Sequence, residues 1–298
     1  MKRAFALAVS LFFIASFGFS QKFALKLGSG WNWISGGDFV DGLKGQTDYL
    51  AAAYTGLTGE FLSPHAGLNF QGEILYYLRS DMGIGLGFGY SRISKDSEID
   101  YESSTESSST SGKERLSPGF TVMPISINFH YFRPISSKFT LDFSAGPSLY
   151  IAKLDWSDTV DLSVRPPNDT TQIFSGADQF IFTSAGHVGF GVQIGVGIEY
   201  ALSSGIAAVF SVAGRLASVS GFKGDWTEQG SGDFLNFSDS GTGSAAWYYD
   251  WNVNQKTYGQ FAFQDDMPSG TAISNARSAK LGLSGFAVSI GVKIGIGS

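Results

Sequence analysis

The 298-residue chain has no cysteine. A disulfide framework, a thiolate metal site and a cysteine nucleophile are therefore all excluded. Charge is also scarce, at 15% of residues, and its balance is acidic, with a formal net charge of -6. A general nucleic-acid binder is excluded, because affinity for a phosphate backbone needs clustered Lys and Arg. There are only eight prolines and three histidines (His65, His130 and His187), and no apolar run approaches the ~20 residues of a membrane-spanning helix. What the chain does have is glycine and aromatic side chains: 39 Gly, 26 Phe, 12 Tyr and 6 Trp.

The first twenty residues have the layout of a cleavable export signal, 1–20. Lys2-Arg3 precede an apolar stretch from Ala4 to Phe17, and small residues at Gly18 and Ser20 precede Gln21. The remainder, 21–298, is expected to form one domain.

From Phe23 onward the apolar residues recur at every second position. In the clearest case Val188, Phe190, Val192, Ile194, Val196, Ile198 and Tyr200 share one face, and Gly189, Gly191, Gln193, Gly195, Gly197 and Glu199 share the other. Eight such segments are expected, at about 22–35, 66–79, 82–94, 119–133, 138–152, 182–200, 205–221 and 279–297. The links alternate in length. Ser80-Asp81, 134–137 and 201–204 are tight turns, whereas 36–65, 95–118, 153–181 and 222–278 are long. That alternation predicts an all-β fold, an eight-stranded antiparallel up-and-down transmembrane β-barrel with short periplasmic turns and four long extracellular loops. A helix is expected near Gln46–Tyr54, a flexible tip at Glu102–Gly112, and a hairpin at Ala246–Phe263.

Three stretches carry a resemblance to a known family: Met123-Pro124-Ile125-Ser126-Ile127-Asn128-Phe129, Ser144-Ala145-Gly146-Pro147-Ser148-Leu149 and Gly195-Val196-Gly197-Ile198-Glu199-Tyr200. Here the sequence resembles the outer-membrane protein β-barrel domain family, the small eight-stranded OmpA- and OmpX-type barrels. The resemblance implies a bacterial outer-membrane location, assembly by the barrel assembly machinery, and contact with outer-membrane lipid or lipopolysaccharide.

Charge is partitioned as a barrel requires. Of the 26 acidic residues only Glu73, Asp81, Asp142 and Glu199 lie outside the four long links. Among the charges within strands, Lys26, Glu73, Asp142, Glu199, Arg215 and Lys293 fall on the polar face together with His130. An eight-stranded barrel has an interior just wide enough for side chains, so these residues are read as an interior polar plug. Phe23, Tyr76, Tyr131, Phe139 and Tyr200 near the short turns, and Trp31, Trp33, Tyr90 and Phe120 near the long loops, are read as two aromatic belts at the lipid headgroups.

No cofactor or metal site is expected. Asp155, Asp158 and Asp161 offer oxygen ligands for a weak divalent-ion site but lack the glycine turn and terminal Glu of an EF-hand loop. Ser184 with His187 is the one pair suited to a rim-located hydrolase, and no third orienting group accompanies it. The expected role is non-enzymatic: a monomer serving envelope structure or binding an unknown surface ligand through its loops, without nucleic acid. The second reading is a narrow channel for small or apolar solutes.

Overall fold

A computed structural model describes residues 23–54, 56–105, 108–166 and 173–296. The expected export signal lies outside the described residues. The chain runs β1 (Phe23–Gly37), helix α1 (Asp38–Ala53), the two-residue β2 (Thr58–Gly59), β3 (Ala66–Arg79), β4 (Met82–Ser94), β5 (Ser97–Thr105), β6 (Ser108–Pro134) and β7 (Phe139–Arg165). It continues through β8 (Phe174–Ser184), β9 (His187–Ala201), β10 (Ile206–Ser220), β11 (Lys223–Gly232), β12 (Phe237–Val253), β13 (Lys256–Gln264), β14 (Ile273–Ser278) and β15 (Lys280–Ile296).

Eight of these strands form a closed antiparallel ring. The order is β1, β3, β4, β6, β7, β9, β10 and β15, and β15 pairs back onto β1 from Phe23↔Ile296 to Gly37↔Leu281. Each ring strand is hydrogen-bonded along both edges, so the ring has no free edge. Two of the expected segments, 66–79 and 82–94, coincide with β3 and β4.

The strand count differs from the expected eight: the described residues form fifteen strands. The other seven are built from links read as loops. β6 and β7 each run 27 residues, far beyond the ~9–11 that cross a bilayer. Their pairing extends from Pro134↔Thr140 to Ser109↔Arg165. The Ser- and Thr-rich stretch expected to be flexible is instead the β5–β6 hairpin, with Tyr101↔Gly112 and Glu102↔Ser111 in register. Tyr101 is buried and lies flat over Gly112, where a Cβ would sit 2.2 Å from the ring, so only glycine fits beneath it.

The expected segment 182–200 is also split. Phe182 is buried in the interior, whereas Val188 is exposed on the outside, although both have even numbers. The break at Ala185-Gly186 reverses the face, so residues 182–184 close β8 and the ring strand starts at His187. The Ala246–Phe263 hairpin is present, with Ala246↔Phe263 in register and a two-residue turn at Asn254-Gln255, both with positive φ as a type I′ turn requires. It stands above the ring, which stays at eight strands.

Helix α1 begins eight residues before the expected Gln46. Its buried Phe39, Leu43 and Leu50 fall on one face. Gly42 and Gly45 lower its intrinsic propensity, yet they let it close on β13: a Cβ at Gly45 would lie 2.3 Å from the Gly259 backbone. Asp38, in the first turn, accepts hydrogen bonds from Lys280 N (2.9 Å) and the Arg277 guanidinium (2.8 Å). The helix thus stoppers the end of the ring where the long strands rise. Phe39 packs there against Phe120 (4.8 Å between ring centroids), Phe261 (5.1 Å) and Phe222 (6.0 Å).

That packing corrects one assignment. Phe120 is not in an aromatic belt; it is fully buried inside the mouth. Along β6 it shares parity with Val122, Ser126, Asn128 and His130, all of which point inward, while Ile125, Ile127, Phe129 and Tyr131 point outward.

Replacing Phe39 with Ala removes the centre of this aromatic cluster at a cost of about 3–5 kcal/mol. Limited proteolysis should then cut within 38–53 at protease levels that leave the unaltered protein intact, while the ring keeps its folded gel mobility.

Candidate functional site

Inside the ring the polar face converges on one network. Lys26 of β1 ion-pairs with Asp142 of β7 and lies 3.3 Å from Glu199 of β9, which also pairs with Lys293 of β15. His130 of β6 bridges two carboxylates, with Nδ1 2.8 Å from Asp142 and Nε2 3.0 Å from Glu73. Three carboxylates, two ammonium groups and this imidazole thus meet in one cluster. Asn128 donates to Glu73 (2.7 Å) and accepts from Gln193 (2.7 Å), which carries the network upward.

The sequence expectation put Arg215 in the same cluster, but the structure places it one tier higher. It donates to Leu283 O (2.7 Å), to Trp33 O (3.2 Å) and to Asn32 Oδ1, and among the described residues it has no carboxylate partner. Asn32, Ser91 and Asn69 continue that tier across β1, β4 and β3. Between the tiers lies a cavity of about 150 Å3, lined in part by Gln71, Tyr150, Gln193, Ser211 and Ser289. Below the ion pairs the interior is apolar: Ala24, Leu75 and Phe132 are buried together, and the Lys26 and Lys293 ammonium groups sit 5.4 and 5.5 Å from the Phe132 ring centroid. Toward the mouth lies the aromatic cluster under α1, to which Tyr150 of the cavity lining belongs. The asparagines and Ser126 were not singled out from sequence, although their parity with Lys26 and His130 was the available signal.

The outward-facing aromatics pair across strands. Near the short turns Phe23 meets Tyr76 and Phe139 meets Tyr200, each at 5.0 Å; Tyr131 and Phe143 lie 6.5 Å apart. Toward the mouth Trp33 stacks on Phe286 (4.7 Å), and Trp31 and Tyr90 are exposed.

Ser184 and His187 do not form a pair. Ser184 Oγ accepts from Leu154 N (2.7 Å) and donates to Ala185 O (3.0 Å), whereas His187 Nε2 accepts from Lys223 N (2.9 Å). The aspartates of 155–161 do not converge either, because they lie in one strand. Asp161 is held outside by Arg115 (3.0 Å), while Asp158 turns inward near Glu114. Among the described residues no group of three His, Asp or Glu is placed to hold a metal ion.

Glu114 and Asp158 are the acidic pair of the upper sheet. Burial pushes the Glu114 carboxyl up to about 8, reinforced by Asp158 and opposed by the 2.8 Å hydrogen bond from Gln46 of α1. Burial, together with Asp178, pushes Asp158 up to about 7.

No protein-family model matches the chain, and no curated protein matches it. Among solved structures, the outer membrane protease OmpT from Escherichia coli aligns over 94% of this chain and 99% of its own, at 8% identity and a TM-score of 0.26. A likeness of that size carries no argument about fold or activity.

Two outcomes follow from the geometry. Asp142→Leu removes one of the two carboxylates beside each of Lys26 and His130, leaving Glu199 and Glu73; the interior is then one negative charge short, and stability should fall by about 3–5 kcal/mol, read as a lower urea midpoint in lipid vesicles. The acidic pair binds more protons folded than unfolded, so its contribution is most favourable below about pH 4 and is lost as pH rises toward about 8. Amide exchange in α1 and β6 should accelerate between about pH 4 and about pH 8 after correction for intrinsic rates, and Glu114→Gln should flatten that dependence.

Proposed function

We propose that the protein is an integral outer-membrane β-barrel with a closed interior, serving a non-enzymatic structural or surface-binding role in the cell envelope. One observation carries this reading: the outside of the ring is apolar over most of its circumference. Phe190 (75% exposed), Ile290 (68%), Ile194 (66%) and Ile127 (58%), with Leu86 and Phe88, all face outward, while the charged residues of the ring centre face inward. A monomer in water rarely exposes a patch larger than a few hundred Å2. A lipid environment reverses that penalty, and a closed ring is one of the two backbone arrangements it tolerates. The paired aromatics fit the two headgroup levels of such a membrane.

The apolar floor at Leu75 and Phe132 and the aromatic roof under Phe39 favour a closed barrel over a channel. The separate engagement of Ser184 and His187 favours a non-enzymatic role over a hydrolase. The sheet built from β5 to β8 and β11 to β13 is then the part presented outside the cell, where the unknown surface ligand would bind.

Cell fractionation tests the location. The protein should be found in outer membranes and should migrate differently on gels when boiled and unboiled. A soluble protein without a heat shift would overturn the reading. In planar bilayers it should give no steady conductance, and reproducible channels from the unaltered protein would overturn the closed interior.

A further inference from the structure

A groove of about 610 Å3 runs along the outside of the ring near the mouth, over β1, β3 and β4. Its lower wall is apolar: Trp31 (43% exposed) faces Leu68 (55% exposed) across the β1–β3 pair. Leu68 in turn faces Arg92 across β3 and β4, and Arg92 and Lys95 make the upper wall cationic, with His65 beside them. Among the described residues no carboxylate lines the groove. Among the described residues the Arg92 and Lys95 side chains have no hydrogen-bond or ion-pair partner. This sets them apart from Arg115 and Lys113 on the nearby hairpin, which are held by Glu98, Asp100 and Asp161. The same row continues through Thr121 to Lys153, a second exposed cation two strands away. Across one row of facing residues the outer surface therefore changes from Val288, Trp31 and Leu68 to Arg92, Thr121 and Lys153.

We propose that this groove is a binding site for a membrane lipid with a net-anionic, phosphate-bearing headgroup, whose acyl chains lie against Trp31 and Leu68 and whose phosphate is held by Arg92 and Lys95. The inference rests on the ring spanning the membrane and adds a specific lipid contact to that reading. Arg presents a planar fork of donors suited to phosphate oxygens, and Lys adds a second positive charge. Two unpaired cations directly above an apolar wall complement an amphipathic anion. A free phosphate would leave the Trp31 and Leu68 half of the groove unused.

Tryptophan quenching tests the proposal on protein purified from cell envelopes and reconstituted into phosphatidylcholine vesicles that carry a brominated lipid. Brominated phosphatidylglycerol should quench more strongly than brominated phosphatidylcholine at equal mole fraction, by about five-fold in relative affinity per engaged cation. Trp31→Phe should remove most of that difference, which assigns it to the groove. The R92A/K95A double variant should bring the two lipids to parity, and Arg92→Lys should retain part of the preference. Arg92→Gln and Lys95→Gln singly, each checked for its heat shift, should lower the ratio in the same direction. Equal quenching by both lipids in the unaltered protein, or a preference untouched by these substitutions, overturns the site. Loss of the preference on adding inorganic phosphate at constant ionic strength would mean that a free anion, not a lipid, is the ligand. Absence of quenching by either lipid would overturn the membrane-spanning reading itself.

Discussion

Closure of the backbone ladder is the constraint on which the rest of the structure depends. Because β15 pairs with β1, no ring strand carries an unpaired row of donors and acceptors. Closure divides the side chains into two populations, since successive residues of a strand point to opposite faces. Outward positions meet whatever surrounds the ring, and inward positions meet only one another. The interior must then satisfy every polar group it contains, which accounts for an ion-pair network drawing one residue from each of six ring strands. Breaking it at one residue leaves the buried cluster with an unbalanced charge, a larger penalty than the loss of a surface ion pair would incur.

The two ends of the ring are finished differently. At the short-turn end Ala24, Leu75 and Phe132 close the interior with side chains of the ring strands themselves. At the other end a separate segment does this work: α1 packs Phe39 and Leu43 into the mouth and is tied by Asp38 to Lys280 and by Gln46 to Glu114. The lower seal is therefore part of the ring, whereas the upper seal is a docked element whose attachment includes a carboxyl with a strongly raised proton affinity. The two seals should respond differently to pH.

Much of the ring was legible in the sequence because alternation of period two is a local signal. It located β3 and β4 to the residue, and it placed Lys26, Glu73, His130, Asp142, Glu199 and Lys293 on one face, although nothing local gave their pairing. It failed where a local pattern has more than one outcome. The Ser- and Thr-rich hairpin of β5 and β6 lacks an apolar stripe, so its strand character depends on the partner strand rather than on its own residues. The face reversal at Ala185-Gly186 is invisible to a count that assumes an unbroken strand. Phe120 was misplaced although its parity with His130 already put it inside; the signal was present and outweighed by its position at a strand end. Helix α1 was hardest to read, because Gly42 and Gly45 weaken the helical pattern for the sake of an approach to β13 that appears only in three dimensions.

The length of β6 and β7 has a mechanical consequence. Both strands run without a break from the short-turn edge of the ring to the far hairpin, about 90 Å of extended chain at 3.3 Å per residue. No hinge separates the part inside the ring from the part beyond it. Where a loop would absorb a pull or a push at its tip, this paired ribbon acts as a lever whose short arm is two adjacent staves of the ring. A body that binds at the far end would therefore exert torque directly on the wall containing His130 and Asp142.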